Sequence, residues 1–468
     1  MLFTTIQFWA AFVAFLFIFA LLRKTKREVL QLYVIAASLG FFYLSNHWLM
    51  LLLPATALVS WMLTEWMSEA KGAGRKCLLF LIVTLDLLPL LFFKYSHSLS
   101  ELLNQMLLTN FSLPSIALLI GISFYTFQAI SYSVDVFRRH FSTKVSFLEY
   151  LLYLSFFPQL IAGPIVKYHD ISAQIDSRVL TPEESAAGIR RFIRGLAKKL
   201  LIADSVGYLA DAAYATLSGT PDSRVMWLGA VCYTLQIYYD FSGYSDMAIG
   251  MGHMFGFTIR ENFLFPYGAS SLRDFWRRWH VSLSTWFREY LYIPLGGNRR
   301  GRARAALNRF AVFLCTGIWH GANWTFLFWG LAHGLLSSAE DWGLIPVKKL
   351  ARSPWGRTLC RVYTLLCVTL LFAIFRADSL ADGFRLIAAL FSGSLTAEGS
   401  LLLARLLSPA ALLWIALAAL LAGNLVPKLR ERVKLPEPLA DALSLALLCL
   451  CILCLAKGGF HPFIYFQF

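Results

Sequence analysis

The chain has 468 residues, 58% hydrophobic, 15% aromatic and only 15% charged, a balance that excludes a soluble protein of two or three domains. Its formal net charge of +15 comes from Lys and Arg gathered in short stretches between apolar runs, as in loops beside anionic lipid, and no nucleic-acid recognition motif accompanies them. The eight cysteines lie mostly inside apolar runs and suggest neither disulfides nor a zinc site.

Apolar runs long enough to cross about 30 Å of hydrocarbon as helix recur from Phe3 to Ala456. The first is followed by Arg23, Lys24, Lys26 and Arg27, with no small-residue cleavage site, and reads as an uncleaved span with its N-terminus outside. Residues 23–28, Lys71 to Lys76 and Arg138 to Lys144 mark cytosolic turns. Outward turns fall at Ser45-Asn46-His47 and across the nearly neutral stretch 95–112, so five crossings alternate as charge requires. Residues 156–164 hold Pro158, Gly163 and Pro164 in an apolar run, which predicts a broken or re-entrant element. Arg190, Arg191, Arg194, Lys198 and Lys199 beside an apolar face predict a helix at the cytosolic interface over 186–205.

Residues 225–250 predict a span that holds Asp240 and Asp246. Between Ser271 and Phe310 stand nine arginines against Asp274 and Glu289, the strongest cytosolic mark in the chain. The next basic loop, Lys348 to Arg361, is cytosolic too, so 311–338 must cross twice, as two shorter helices meeting near Gly321. Spans at 362–375, 401–424 and 440–456, with basic residues Lys428 to Lys434, leave the C-terminus outside. The fold expected is an all-α polytopic membrane bundle of about ten or eleven transmembrane helices with broken and interfacial helices. It forms one domain, with N-terminal spans to residue 145, a catalytic core over 146–340 and C-terminal spans from 341.

The chemistry concentrates in the core. His320 lies nine residues past Ala311, about 14 Å along a helix and near mid-bilayer, where an ionisable group is costly and usually functional. A neutral imidazole there can take a proton from an attacking hydroxyl or orient an acyl carbonyl. Gly317 and Gly321 leave room for a substrate or another helix, and a packed structural histidine is the plain alternative. Helical spacing puts Arg273, Arg277, His280, Ser284 and Arg288 on one face and Trp276, Trp279, Leu283, Trp286 and Tyr290 on another. The cationic stripe suits the phosphates of a coenzyme A or phosphopantetheine donor, whereas for its outer arginines snorkelling to lipid headgroups is the favoured reading. Buried Asp240 and Asp246 must be paired or protonated, and either orient a histidine or neutralise arginines. The seven other histidines form no metal-ligand spacing and read as structural, His333 least securely.

These residues resemble the membrane-bound O-acyltransferases, in the branch of the alginate O-acetylation membrane subunit. The likeness covers most of the chain. It rests on 121–128 (GISFYTFQ), 157–164 (FPQLIAGP), 240–248 (DFSGYSDMA), 260–263 (RENF), 275–286 (FWRRWHVSLSTW), 290–297 (YLYIPLGG), 317–324 (GIWHGANW), 375–377 (FRA) and 463–466 (FIYF). The resemblance implies a funnelled helical body with His320 as the essential histidine and His280 as its second. It places Asp240, Tyr244, Asn262, Arg277, Trp319 and Asn323 in the cavity or in substrate positioning. It also implies an acetyl-coenzyme A or other acyl-thioester donor with no bound cofactor, the bacterial inner membrane, and delivery to an envelope glycan through an extracytoplasmic SGNH-type acyltransferase partner. Alginate-like exopolysaccharide and peptidoglycan are the acceptors expected, with D-alanylation of teichoic acid as the alternative. A proton-coupled transporter would carry inverted repeats, which are not evident, and a non-catalytic scaffold would keep glycan modification after His320→Ala.

Overall fold

The computed structural model describes residues 5–107, 119–140, 145–160, 163–177, 180–423, 425, 429, 432, 436–457 and 463–464, and among these there are helices and turns but no strand. They divide into two compact units, Met1–Phe192 with Met247–Arg260 and Ile193–Asp246 with Glu261–Phe468.

The first unit opens with α1 (Ile6–Leu22), α2 (Arg27–Asn46), α3 (Leu52–Glu69), α4 (Gly72–Leu107) and α5 (Ile122–Phe137). The turns fall where charge and polarity place them. Arg23 to Lys26 separates the first two helices, and His47, at φ 50°, ends the second. One turn differs from expectation: α4 runs 36 residues, so 95–107 is helix, because nothing after Pro89 breaks it. Residues 108–112 and Lys144 lie outside the described residues. The broken element is present. The helix α6 (Phe147–Ser155) starts on a Ser146/Glu149 capping box and stops at Phe156, and a four-residue turn, Phe157–Leu160, follows. Phe157 is held in a ring cluster, 5.5 Å from Phe15 and 5.2 Å from Phe41, so the break is packed rather than loose. Beyond α7 (Tyr168–Ser177), α8 (Pro182–Ala197) buries Phe192 and Leu196 and exposes Arg194, the two-faced helix expected over 186–205.

The second unit holds a π-helical segment at Lys198–Ala203, α9 (Asp204–Tyr214) and most of the 32-residue α10 (Ser223–Met254). Asp240 and Lys199, both buried, meet at 2.6 Å, and Asp246 meets Lys198 at 2.6 Å. The expected single helix through 271–290 is interrupted: α11 (Leu272–Trp276) and α12 (Val281–Phe287) are separated at Arg277–His280, with His280 in the left-handed region at φ 44°. Then α13 (Gly301–His320) and α14 (Trp324–Trp342) form a hairpin that meets at Gly321, two helices where charge parity asks for two. They are long rather than short. His320 is the last residue of α13, beside the expected meeting point at Gly321, and because the helix starts ten residues before the apolar run it lies about 30 Å from that start.

The hairpin closes on glycine. A Cβ at Gly317 would stand 2.6 Å from the Phe326 carbonyl oxygen, and one at Gly330 2.4 Å from that of Phe313, so only hydrogen permits this approach. The helix α15 (Pro354–Arg376) follows, then α16 (Leu380–Phe391), which had no counterpart in the hydropathy reading. The span expected at 401–424 is a pair, α17 (Ala397–Leu406) and α18 (Pro409–Ala422), bent by 77° at Ser408-Pro409. The basic residues Lys428 and Lys434 lie outside the described residues. The last helix, α19 (Glu437–Lys457), exposes Leu445, Ile452 and Leu453, as a lipid-facing span does.

Among the described residues, Arg27–Glu69, Gly72–Leu107, Pro354–Arg376 and Glu437–Lys457 are long and apolar enough to cross a membrane, and the bent pair adds a fifth. The crossings expected at 225–250 and 311–338 coincide with α10, α13 and α14, which bury Asp240, Asn308, His333 and Glu340. The chain is an all-α, multi-pass membrane protein.

Candidate active site

The loop after α10 runs alongside the interruption between α11 and α12. Leu264 N–H donates to the Arg278 carbonyl at 2.9 Å, and Val281 N–H to the Asn262 carbonyl at 2.9 Å. Glu340 of α14 caps α11 from the other side, accepting from Leu272 N–H at 2.8 Å and Arg273 N–H at 3.3 Å. Held at both ends, the chain turns His280 inward, and the residue is 2% exposed. Its Nδ1 lies 3.2 Å from Asn262 Oδ1. That Asn262 atom accepts from Ser282 N–H at 3.2 Å and from Ser282 Oγ at 2.9 Å, while Asn262 Nδ2 donates to Ser245 Oγ at 3.2 Å. The amide oxygen is therefore identified by its donors, and His280 must carry its proton on Nδ1 to bond it. Nε2 is left as a bare acceptor, buried and without a hydrogen-bond partner.

His320 reaches the same place from the tip of the α13–α14 hairpin. Its ring stands edge-on to Trp329 at 5.3 Å and to Phe375 at 4.9 Å. His280 and His320 both line one enclosed cavity of about 30 Å³, room for about one water, walled by Phe241, Trp276, Trp329 and Ile464 among others. Trp319 touches both imidazoles, at 6.2 Å from His280 and 4.8 Å from His320.

The other sequence candidates take different places. Asp240 does not line this cavity: besides pairing with Lys199 it accepts from Ile464 N–H at 2.6 Å, and so holds one wall residue. Tyr244 stacks on Phe463 at 4.7 Å. Asn323 caps α14 through Thr325 N–H at 3.0 Å and donates to the Asp378 carbonyl at 2.8 Å, tying the hairpin tip to the residues before α16. His333 accepts from Trp276 Nε1–H at 3.2 Å and is fully buried, a packed histidine that aims a cavity-wall tryptophan.

The arginine stripe splits. Arg273, Arg277, Ser284 and Arg288 line a second cavity of about 510 Å³, which Arg309 of α13 enters as well, while His280 has left that face at the interruption. Arg273 and Arg309 both pair with Asp341, and Arg288 with Glu289, whereas Arg277 is exposed in the opening. Trp276 walls both cavities. Arg309 and His320 are eleven residues apart on α13, about 16 Å. Spacing within 271–290 could reveal neither Arg309 nor Ile464, Phe375 and Trp329, since each arrives from a distant helix.

Residues 39–377 match the membrane-bound O-acyltransferase family. The chain is 43% identical over 318 residues to the probable alginate O-acetylase AlgI of Pseudomonas aeruginosa, covering 67% of this chain and 60% of that protein. It is 33% identical over 420 residues to the peptidoglycan O-acetyltransferase of Helicobacter pylori, covering 83% and 79%. Against the teichoic acid D-alanyltransferase of Bacillus subtilis identity is 27% over 274 residues, covering 55% and 68%. The chain spans about three fifths of the length of the alginate acetylase relatives it matches.

Proposed function

This chain belongs to the membrane-bound O-acyltransferase family, and from that premise we propose that it moves an acyl group, acetyl by preference, from a cytosolic thioester to a cell-envelope polysaccharide. The observation that carries the reading is the pair of imidazoles on one enclosed cavity, one of them with its tautomer set by Asn262 so that a bare nitrogen faces inward. In the proposed reaction His320 is the principal base. An acceptor hydroxyl gives its proton to the imidazole as its oxygen attacks the thioester carbonyl, the C–O bond forms, the C–S bond breaks, and the proton passes to the departing thiolate. His280 orients the reacting groups, and at least one of the two rings is neutral near pH 7. No tightly bound cofactor takes part.

The arginine-lined cavity supports the donor half of the proposal. A coenzyme A or carrier-bound phosphopantetheine thioester combines anionic phosphates with a long thin arm. The guanidiniums of Arg277 and Arg309 suit the first, and the distance of about 16 Å along α13 suits the second. By the positive-inside rule this arginine-rich end faces the cytosol. The acceptor is then reached from the envelope side of the inner membrane, with an SGNH-type transferase of the envelope as the partner that completes delivery. Acetyl is preferred over D-alanyl because the acetylating relatives are matched at 33–43% identity and the D-alanylating one at 27%.

The test is transfer of labelled acetyl from acetyl-coenzyme A by the purified protein in proteoliposomes, with a glycan acceptor supplied. Label moves with the native chain and not with His320→Ala. Undiminished transfer by that variant removes the proposal.

A further inference from the structure

A groove of about 280 Å³ runs between α1 and α2 on the first unit, lined almost wholly by apolar side chains. Its floor is the ring cluster at the packed break. Phe157 lies 6.3 Å from Phe12, 5.5 Å from Phe15 and 5.2 Å from Phe41, and all four rings are buried. Its rim is small and open: Ala11 and Ala14 of α1 and Gly40 of α2 are exposed, and a Cβ at Gly40 would meet nothing within 4 Å. Small residues ordinarily let two spans close on each other, whereas these border an empty slot. Along α1 the slot reaches from Phe8 to Ile18, about 15 Å, which is half the hydrocarbon thickness and the depth of one leaflet. Tyr33 lines it too, but spends its hydroxyl on the Phe15 carbonyl at 3.0 Å. Five residues beyond Ile18, about 8 Å along the helix, the turn to α2 begins with Arg23, Lys24 and Lys26. All three are exposed and make no ion pair among the described residues, whereas Arg27 meets Glu149 at 2.7 Å.

From this geometry we propose that the groove seats one acyl chain of an anionic phospholipid, whose phosphate is held by Arg23, Lys24 and Lys26. Size chooses the chain. A volume of about 280 Å³ spread over about 15 Å leaves a cross-section of about 19 Å², that of a single extended hydrocarbon chain, whereas a helix about 10 Å across needs roughly 80 Å². A transmembrane helix of a partner or of a second copy therefore does not enter it. Charge chooses the headgroup: three uncommitted cations one to two helical turns from the slot attract a net negative lipid and gain little from a zwitterionic one. The aromatic floor keeps the slot from collapsing, because its rings are fixed by one another and by the break at Phe156. A chain lying there covers the ring cluster from the bilayer side. The site is independent of the proposed acyl transfer and stands or falls without it.

The full chain in mild detergent is equilibrated with equal amounts of phosphatidylglycerol and phosphatidylcholine, and the lipid it retains is read by native mass spectrometry. In proteoliposomes, a trace of phosphatidylglycerol with a diazirine on one acyl chain is photolysed and its crosslinks are mapped by peptide mass spectrometry. The native chain retains phosphatidylglycerol in preference, and the crosslinks concentrate on α1 and α2. Gly40→Leu fills the slot without meeting a neighbour, Ala14→Leu fills it from the opposite wall, and each lowers retention about tenfold or more with an unchanged melting profile. Replacing Arg23, Lys24 and Lys26 together by Gln lowers the preference for phosphatidylglycerol about tenfold or more, since each cation near the headgroup is worth about fivefold. The proposal is overturned if phosphatidylcholine is retained equally well or if both filling variants retain lipid as the native chain does. Crosslinks spread evenly over other lipid-facing helices such as α19 would overturn it as well, since they would mark annular lipid only.

Discussion

At the residue scale the two histidines are held by different means. His320 is enclosed by Trp329, Phe375 and Phe326, so truncation removes one ring from an aromatic cage and leaves α13 intact. His320→Ala should lower acyl transfer by about 10²–10⁴-fold with an unchanged melting profile. Adding His280→Ala should cost little more, because members of a catalytic unit are not additive; fully multiplicative losses would separate the two rings functionally. Asn262 offers a sharper test, since it touches no substrate in this reading and acts only through His280. Asn262→Ala frees the ring and its tautomer and should cost about 10²-fold in turnover with little change in donor KM. A change confined to KM would place Asn262 in donor binding instead.

At the element scale, the interruption between α11 and α12 sorts the polar face, sending His280 inward and leaving Arg277 in the arginine-lined cavity. Arg299 and Arg300 follow the Gly296-Gly297-Asn298 turn and do not line that cavity, a position suited to lipid phosphate. Arg277→Ala should therefore raise the apparent donor KM several-fold while Arg299→Ala leaves it near native, measured by titrating acetyl-coenzyme A; equal shifts would deny the cavity a donor role. The α13–α14 hairpin makes a separate demand. Gly330→Val forces side-chain carbons into the Phe313 carbonyl and should destabilise by about 1–3 kcal/mol or more, seen as a lowered unfolding temperature in detergent and a smaller folded yield.

At the scale of the whole molecule, sidedness gives the cavities their proposed order, with the donor entering from the basic end and the acceptor from the other. Arg352 and Ala381 lie beyond opposite ends of α15 and both are exposed. Single cysteines placed there, in a background without the native ones, should react with an impermeant thiol reagent from opposite faces of the membrane. Ala381→Cys is labelled in intact cells and Arg352→Cys only after permeabilisation; the swapped pattern would reverse the assignment of cytosolic and envelope openings, and labelling of both from one face would deny that α15 separates them.

Apolar length, charge parity and breaker residues were sufficient for the membrane class, for the turns at 23–26 and 47, for the break at 156–164, and for two helices where hydropathy alone offers one run at 311–338. These are local properties, read from residues near one another in sequence. The same local logic misplaced what depends on distant partners. His280 left the arginine face because Asn262, Glu340 and the backbone of 262–264 hold the chain there, and no periodicity within 271–290 encodes those contacts. His320 stands at a helix end beside Gly321, where the two-helix reading of 311–338 puts it, but α13 is longer than expected because it begins in the basic segment at Gly301. Asp240 was open between orienting a histidine and neutralising arginines, and its partner is neither: Lys199, forty-one positions away, pairs with it at 2.6 Å. Composition and periodicity determine which environment a residue needs; only the tertiary packing decides which neighbour supplies it, because burial and pairing energies depend on groups brought together from remote parts of the chain.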